Sequence, residues 1–161
     1  MLTLVLGGAR SGKSEVAERL VGGSGELVTY IATGTITDGE MGERIAAHRA
    51  RRPAAWRTIE ESGTGLPKVL ADAVGPVLVD CLTTWLAAAP GFAVDAEELC
   101  TALARRDGDT VVVSDEVGLG VVPSTEAGNH FRDALGLLNQ QVAAVADEVL
   151  LVVAGRTLAL S

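Results

Sequence analysis

Aromatic side chains are scarce in this chain: two Trp, one Tyr and two Phe, 3% of 161 residues. That scarcity leaves no platform on which single-stranded nucleic acid could stack. Positive charge is also short, with 13 Lys and Arg against 21 Asp and Glu, a formal net charge of −8 and a pI near 4.7. Non-specific binding to nucleic acid or to a membrane surface needs the opposite field, so an anionic ligand must find a local positive site. No run of about eighteen apolar residues occurs, and no membrane span is expected. The two cysteines, Cys81 and Cys100, lack metal-ligand spacing and suggest no disulfide framework. Reduced thiols in a cytoplasmic protein are the expectation. The apolar opening MLTLVLGG is too short for a signal peptide and runs straight into glycines.

Aliphatic residues fill the space that rings and charges leave. Hydrophobic residues make up 48% and charged residues 21% of the chain, enough to fold as one domain over residues 1–161. Leu2–Leu6, Leu27–Ala32, Pro76–Asp80, Thr110–Ser114 and Glu148–Val153 are short apolar runs that read as strands, with Thr157–Leu160 as a short edge. Helices are expected over Ser14–Val21, with Val16, Ala17 and Leu20 on one face, and over Glu40–Arg51, Ala96–Arg106 and Thr125–Ala146. Leu82 onward also looks helical. Strands apolar on both faces that alternate with helices predict an α/β fold: a mostly parallel sheet covered on each side. In such sheets ligands sit at the carboxyl ends of strands. Lys13, Asp80, Asp115 and Glu116 all follow strand ends.

Gly7-Gly8-Ala9-Arg10-Ser11-Gly12-Lys13-Ser14 satisfies the phosphate-loop pattern and lies between a strand and a helix, as that pattern requires. Its glycines let backbone N–H groups turn toward phosphate oxygens, and the helix start adds its dipole. Lys13 is expected to reach the β- and γ-phosphates, and the Ser14 hydroxyl to ligate Mg²⁺. A chance glycine turn is the bland alternative, and spacing and context together disfavour it. A carboxylate ending an apolar strand commonly supplies the second metal anchor, and Asp80 fits. A helix-capping aspartate is the competing reading, and Glu116 is a further acid near the same edge.

Residues 44–52, RIAAHRARR, hold Arg44, Arg49, Arg51 and Arg52 around His48. A solvated helix face is the usual meaning of such a run, but in an acidic chain a phosphate-binding role competes with it. The arginines disfavour an imidazolium, so His48 would stay neutral and able to attack phosphorus. From spacing alone a surface histidine is the plainer reading. The residues by themselves lead no further than a phosphate-handling helix.

Longer segments extend the case. GGARSGKS, YIAT (Tyr30–Thr33), DGEMGERIAAHRARRPAAWRTIE (Asp38–Glu60), VDCLTTWL (Val79–Leu86), SDEVGLGVVP (Ser114–Pro123) and HFRDALGLLNQQVAAVADEVLLVVAG (His130–Gly155) follow one another in order. Together they resemble the bifunctional adenosylcobinamide kinase/adenosylcobinamide-phosphate guanylyltransferase family of cobalamin synthesis. The resemblance covers nearly the whole chain. It implies a P-loop NTPase fold of RecA-like type and a homotrimer with sites between subunits. It also implies phosphorylation of adenosylcobinamide and then transfer of GMP from GTP to the new phosphate, with ATP or GTP serving the kinase. His48 occupies the family's nucleophile position, between Arg44-Ile45 and Arg52-Pro53, and would carry GMP as a phosphoramidate. By the same matching Gly7–Ser14 hold phosphates, and Ala32, Thr33 and Gly34 lie by the nucleotide. Arg49, Ala50, Arg51, Arg52, Glu60 and Asp80 complete the GTP site, with Mg²⁺ on Ser14 and Asp80. Two features depart from the pattern: a short stretch between Trp85 and Glu97, and Leu137 where an arginine is frequent. Without the resemblance, the loop would equally suit a small-molecule kinase that lacks guanylyl transfer, or a non-enzymatic GTP-dependent switch.

Overall fold

Strands buried on both faces must send alternate side chains into two separate cores, and these do. The structure, a computed structural model, describes residues 1–23, 25–34 and 53–160. Strand β1 (Leu2–Gly7) directs Leu2, Leu4 and Leu6 to one side and Val5 to the other. In β4 (Val77–Asp80), Val77 and Val79 oppose Leu78; in β5 (Thr110–Asp115), Val112 opposes Val111 and Val113.

With β2 (Thr29–Ala32), β3 (Arg57–Glu60), β6 (Glu148–Val153) and β7 (Arg156–Leu160), these strands form one sheet in the order β3-β2-β4-β5-β1-β6-β7. Every pairing among the described residues is parallel except the last, β6 with β7. Helix α1 (Lys13–Gly22) packs Val16, Ala17 and Val21 on the face that carries Val5, Leu78 and Val113. On the other face lie α2 (Leu66–Asp72), α3 (Leu82–Ala88), α4 (Ala96–Ala104) and α5 (Glu126–Val145).

The expected strands and the other expected helices appear with shifts of a residue or two, as fraying ends allow. Some details differ. Leu20 is 42% exposed and Val21 takes its place in the core, because the buried stripe of α1 runs through Val16, Ala17 and Val21. Strand β2 begins at Thr29, and Leu27 is exposed. Strand β3 and helix α2 were not expected. The helix expected over Glu40–Arg51 lies outside the described residues.

At the amino-terminal edge of the sheet Arg106 ties three elements together. Its guanidinium donates to the carbonyl oxygens of Leu70, Ala73 and Gly75 at 2.6, 2.7 and 2.6 Å and to Thr110 Oγ1 at 2.8 Å. Burial pulls this guanidinium below its ordinary pKa. Arg106→Met would keep the aliphatic stem but leave the carbonyls at the end of α2 without their charged donor. A loss of about 2–4 kcal/mol in urea unfolding is expected. The substitution should leave the Gly7–Ser14 loop undisturbed, since this edge is opposite it.

Candidate active site

Parallel strands place their carboxyl ends at one edge, so Gly7, Ala32, Glu60, Asp80 and Asp115 all finish there. Register makes neighbours of Gly7 and Asp115, of Ala32 and Asp80, and of Ala32 and Glu60. The period of two also decides which way the acids face. Asp80 follows Leu78 by two residues and Asp115 follows Val113 by two, and both hydrophobic residues face α1. The two carboxylates therefore share the side of the sheet on which the loop enters α1.

Residues Gly8 to Gly12 join β1 to α1. Gly12 stands before α1 at φ 92° and ψ 8°, a left-handed conformation suited to glycine, and no side chain among the described residues caps the helix start. Lys13 Nζ lies 2.5 Å from Asp115 Oδ1 and donates to the Gly8 carbonyl oxygen at 3.2 Å. The lysine thus bridges the loop and the end of β5, a cation folded over the loop. Ser11 Oγ is buried without a hydrogen-bond partner among the described residues.

Asp80 ends β4, and its Oδ2 accepts from the Tyr30 hydroxyl at 2.5 Å. Tyr30 is the only tyrosine in the chain and is 2% exposed. Hydroxyls secure the turn that follows. Thr33 Oγ1 donates to the Cys81 carbonyl at 2.5 Å, accepts from the Cys81 N–H at 2.9 Å and meets Thr84 Oγ1 at 2.7 Å. The Thr33 side chain is therefore turned into the protein, and so is its N–H, which donates to the Asp80 carbonyl at 3.2 Å. Thr83 Oγ1 accepts from the Asp115 N–H at 2.9 Å, and Asn139 Nδ2 donates to the Asp115 carbonyl at 3.1 Å. Burial, reinforced by Asp80, pushes the Cys81 thiol up to about 11. It keeps its proton at neutral pH and offers no thiolate nucleophile.

The loop Gly7–Ser14, Ala32–Gly34, Glu60 and Asp80 thus come to one edge of the sheet. His48, Arg49, Ala50, Arg51 and Arg52 lie outside the described residues. Sequence reasoning did not single out Tyr30, Thr83 or Asn139 as supports of the acids. The alternation that aims Tyr30 and Leu78 toward α1 was readable in YIA and VLVD, but the adjacency of β2 and β4 was not.

A family model described as cobinamide kinase / cobinamide phosphate guanyltransferase matches residues 3–160. The bifunctional adenosylcobalamin biosynthesis protein CobP of Pseudomonas aeruginosa is 47% identical, with the match covering 96% of this chain and 94% of that protein. The bifunctional adenosylcobalamin biosynthesis protein CobU of Escherichia coli is 42% identical over 96% of this chain and 97% of its own length. Among solved structures, the flagellar accessory protein FlaH from Methanocaldococcus jannaschii superposes with a TM-score of 0.57 at 16% identity, over 97% of this chain and 74% of that one. A second solved structure, an ATPase domain, gives a TM-score of 0.52 at 13% identity, over 93% of this chain and 68% of that one. These two likenesses concern the fold, which is the RecA-like P-loop NTPase fold.

Proposed function

The chain belongs to the cobinamide kinase / cobinamide phosphate guanyltransferase family, and from that premise we propose two successive transfers at the edge described above. In the first, the aminopropanol hydroxyl of adenosylcobinamide takes the γ-phosphoryl group of ATP or GTP. In the second, GMP passes from GTP to the new phosphate, giving adenosylcobinamide-GDP and pyrophosphate. The observation that carries this reading is Lys13 folded over the Gly7–Ser14 loop, beside two carboxylates on the same face of the sheet.

For guanylyl transfer, an imidazole nitrogen of His48 attacks the α-phosphorus of GTP. A P–N bond forms as the bond to the bridging oxygen breaks, the ring N–H proton goes to solvent, and pyrophosphate leaves against Lys13 and the loop amides. A phosphate oxygen of adenosylcobinamide phosphate then attacks the same phosphorus, the P–N bond breaks, and His48 leaves as neutral imidazole after its free ring nitrogen takes a proton back from solvent. Arg49, Arg51 and Arg52 balance charge on the transferred group. Ala32, Gly34 and Glu60 border the nucleotide. Asp115 or Glu116 would serve as the base of the kinase step.

The donors fit Mg²⁺. The Ser14 hydroxyl and the Asp80 carboxylate are hard oxygen ligands, and the described residues contain no cluster of three or more His, Cys, Asp or Glu that would suggest another metal. Bound there, Mg²⁺ would neutralise charge on the departing phosphate oxygens. The Tyr30 hydroxyl would orient the Asp80 carboxylate. Tyr30→Phe is therefore expected to raise the Mg²⁺ concentration needed for half-maximal GTP binding by about tenfold. An unchanged Mg²⁺ requirement would rule out Tyr30 as the residue that orients this carboxylate.

A homotrimer with sites between subunits belongs to the same proposal. Leu119, Val121 and Val122, 83%, 95% and 66% exposed in the single chain, support it as apolar surface beyond β5. Sedimentation equilibrium at the mass of one chain would refute that part.

The decisive assay supplies adenosylcobinamide, Mg²⁺ and GTP labelled at the α or the γ position. Both labels should reach the corrinoid, and unlabelled ATP should dilute the γ-label if it also serves the kinase. Transfer of the γ-label alone would leave a kinase without guanylyl transfer. Tight GTP binding with neither transfer would leave a nucleotide-dependent switch.

A further inference from the structure

Strand β7 needs an explanation that burial does not supply, because all five of its side chains are exposed. Its antiparallel pairing with β6, from Val149 opposite Leu160 to Val153 opposite Arg156, closes a two-residue turn at Ala154-Gly155. Both turn residues lie in the left-handed region, at φ 50° and φ 72°, as a tight hairpin of this hand requires.

The turn meets the phosphate loop. The Gly155 N–H donates to the Ser11 carbonyl oxygen at 2.7 Å. A Cβ on Gly12 would stand 3.3 Å from Gly155 Cα, and a Cβ on Gly7 would stand 2.8 Å from the Val152 carbonyl oxygen. The outer side of the loop is thus held against the backbone of the β6–β7 hairpin, with no room for a side chain between them.

We propose that Gly155 is a positioning residue for the phosphate loop, acting through the Ser11 carbonyl; the idea rests on reading Gly7–Ser14 as the triphosphate site. A loop that cradles phosphate must turn its N–H groups inward and keep its carbonyl oxygens away, since those oxygens repel the anion. The hydrogen bond from Gly155 ties one carbonyl outward before any ligand arrives. That preorganisation lowers the cost of ordering the loop around the triphosphate. The exposed strand β7 then has a purpose: it fixes the turn that fixes the loop.

The test compares Gly155→Val with Gly155→Asn. A Cβ at Gly155 meets nothing within 4 Å among the described residues, so the conformation of the backbone is what separates the two substitutions. Valine resists the left-handed conformation, whereas asparagine tolerates it. Binding of GTP and of inorganic tripolyphosphate is measured by calorimetry on proteins that circular dichroism shows to be folded at the assay temperature. Gly155→Val should weaken both ligands by about tenfold or more, and Gly155→Asn should restore them to within about threefold of the parent. Parent-like affinity in Gly155→Val, or equal losses in both variants, overturns the proposal. If Gly155→Val does not fold, amide exchange in the parent decides. Exchange at Gly155 should slow by about tenfold when tripolyphosphate binds, and an unchanged rate overturns the proposal. A parent that binds neither ligand overturns the phosphate-loop reading itself, and this inference with it. A parent that binds both, beside a Gly155→Val that binds as well, overturns the positioning role alone.

Discussion

His48→Ala should take up no guanylyl group from α-labelled GTP, whereas the parent protein should retain label that survives alkali and is lost in acid. Those stabilities are the signature of a phosphoramidate. The reason for expecting a complete effect is chemical: a methyl group cannot form the P–N bond, and the other candidate nucleophiles among the described residues are unsuited to replace it. Cys81 keeps its thiol proton at neutral pH, and the other histidine, His130, sits near the start of α5 against Phe92. GMP transfer to adenosylcobinamide phosphate should fall by a factor on the order of 10⁴ or more, the scale at which lost nucleophiles are felt. Phosphorylation of adenosylcobinamide should stay within about threefold of the parent, because attack on the γ-phosphorus needs positioning and not a protein nucleophile. Equal labelling of His48→Ala and the parent would exclude the covalent route.

Lys13→Ala should impair both reactions together, and this separates it from the histidine variant. In the free protein Lys13 lies against Asp115 and the Gly8 carbonyl, so its charge already hangs over the loop. Triphosphate binding would exchange those partners for phosphate oxygens. Without the lysine, charge that develops on the leaving oxygens loses a preorganised cation. Each transfer should drop by roughly 10²–10³-fold. Stability should fall as well: Lys13 and Asp115 keep only 13% and 24% of their side-chain surface in solvent, and removing the lysine leaves a mostly buried carboxylate without its cation. A folded variant with either activity intact would contradict this account of Lys13.

The parts of the fold that were legible share a physical cause. Leu2–Gly7 and Thr110–Asp115 are buried along nearly their whole length, so their aliphatic runs announce a central strand. Thr125 accepts from the Gly128 N–H as an N-cap, and the long helix begins where that threonine stands. Strand β3 was illegible because Arg57–Glu60 is a mostly exposed edge with one half-buried isoleucine, and its sequence carries no apolar pattern. Helix α2 is only seven residues long, and its best signal was Pro67 in the first turn, which sequence reading passed over. Leu20 and Val21 exchanged places because either could continue the stripe of α1 until the sheet chose one.

The phosphate loop with which the functional argument began was readable because its chemistry is local. Eight consecutive residues supply the turn, the amides, the cation and the hydroxyl, and no distant partner is needed to identify them. The sequence by itself also determined the family, and through it the proposed reaction and the proposed role of His48. What only the tertiary structure decided is how that loop is supported. Strand order set β5 and β6 on either side of β1, so Asp115 met Lys13 and Gly155 met Ser11. The same order brought Tyr30 to Asp80, 50 residues along the chain. The other two pairs are separated by longer stretches still, and no pattern in the intervening residues announces them. Local sequence selects strands and turns, but the hydrogen bonds of a parallel sheet are made between segments whose adjacency depends on the whole core.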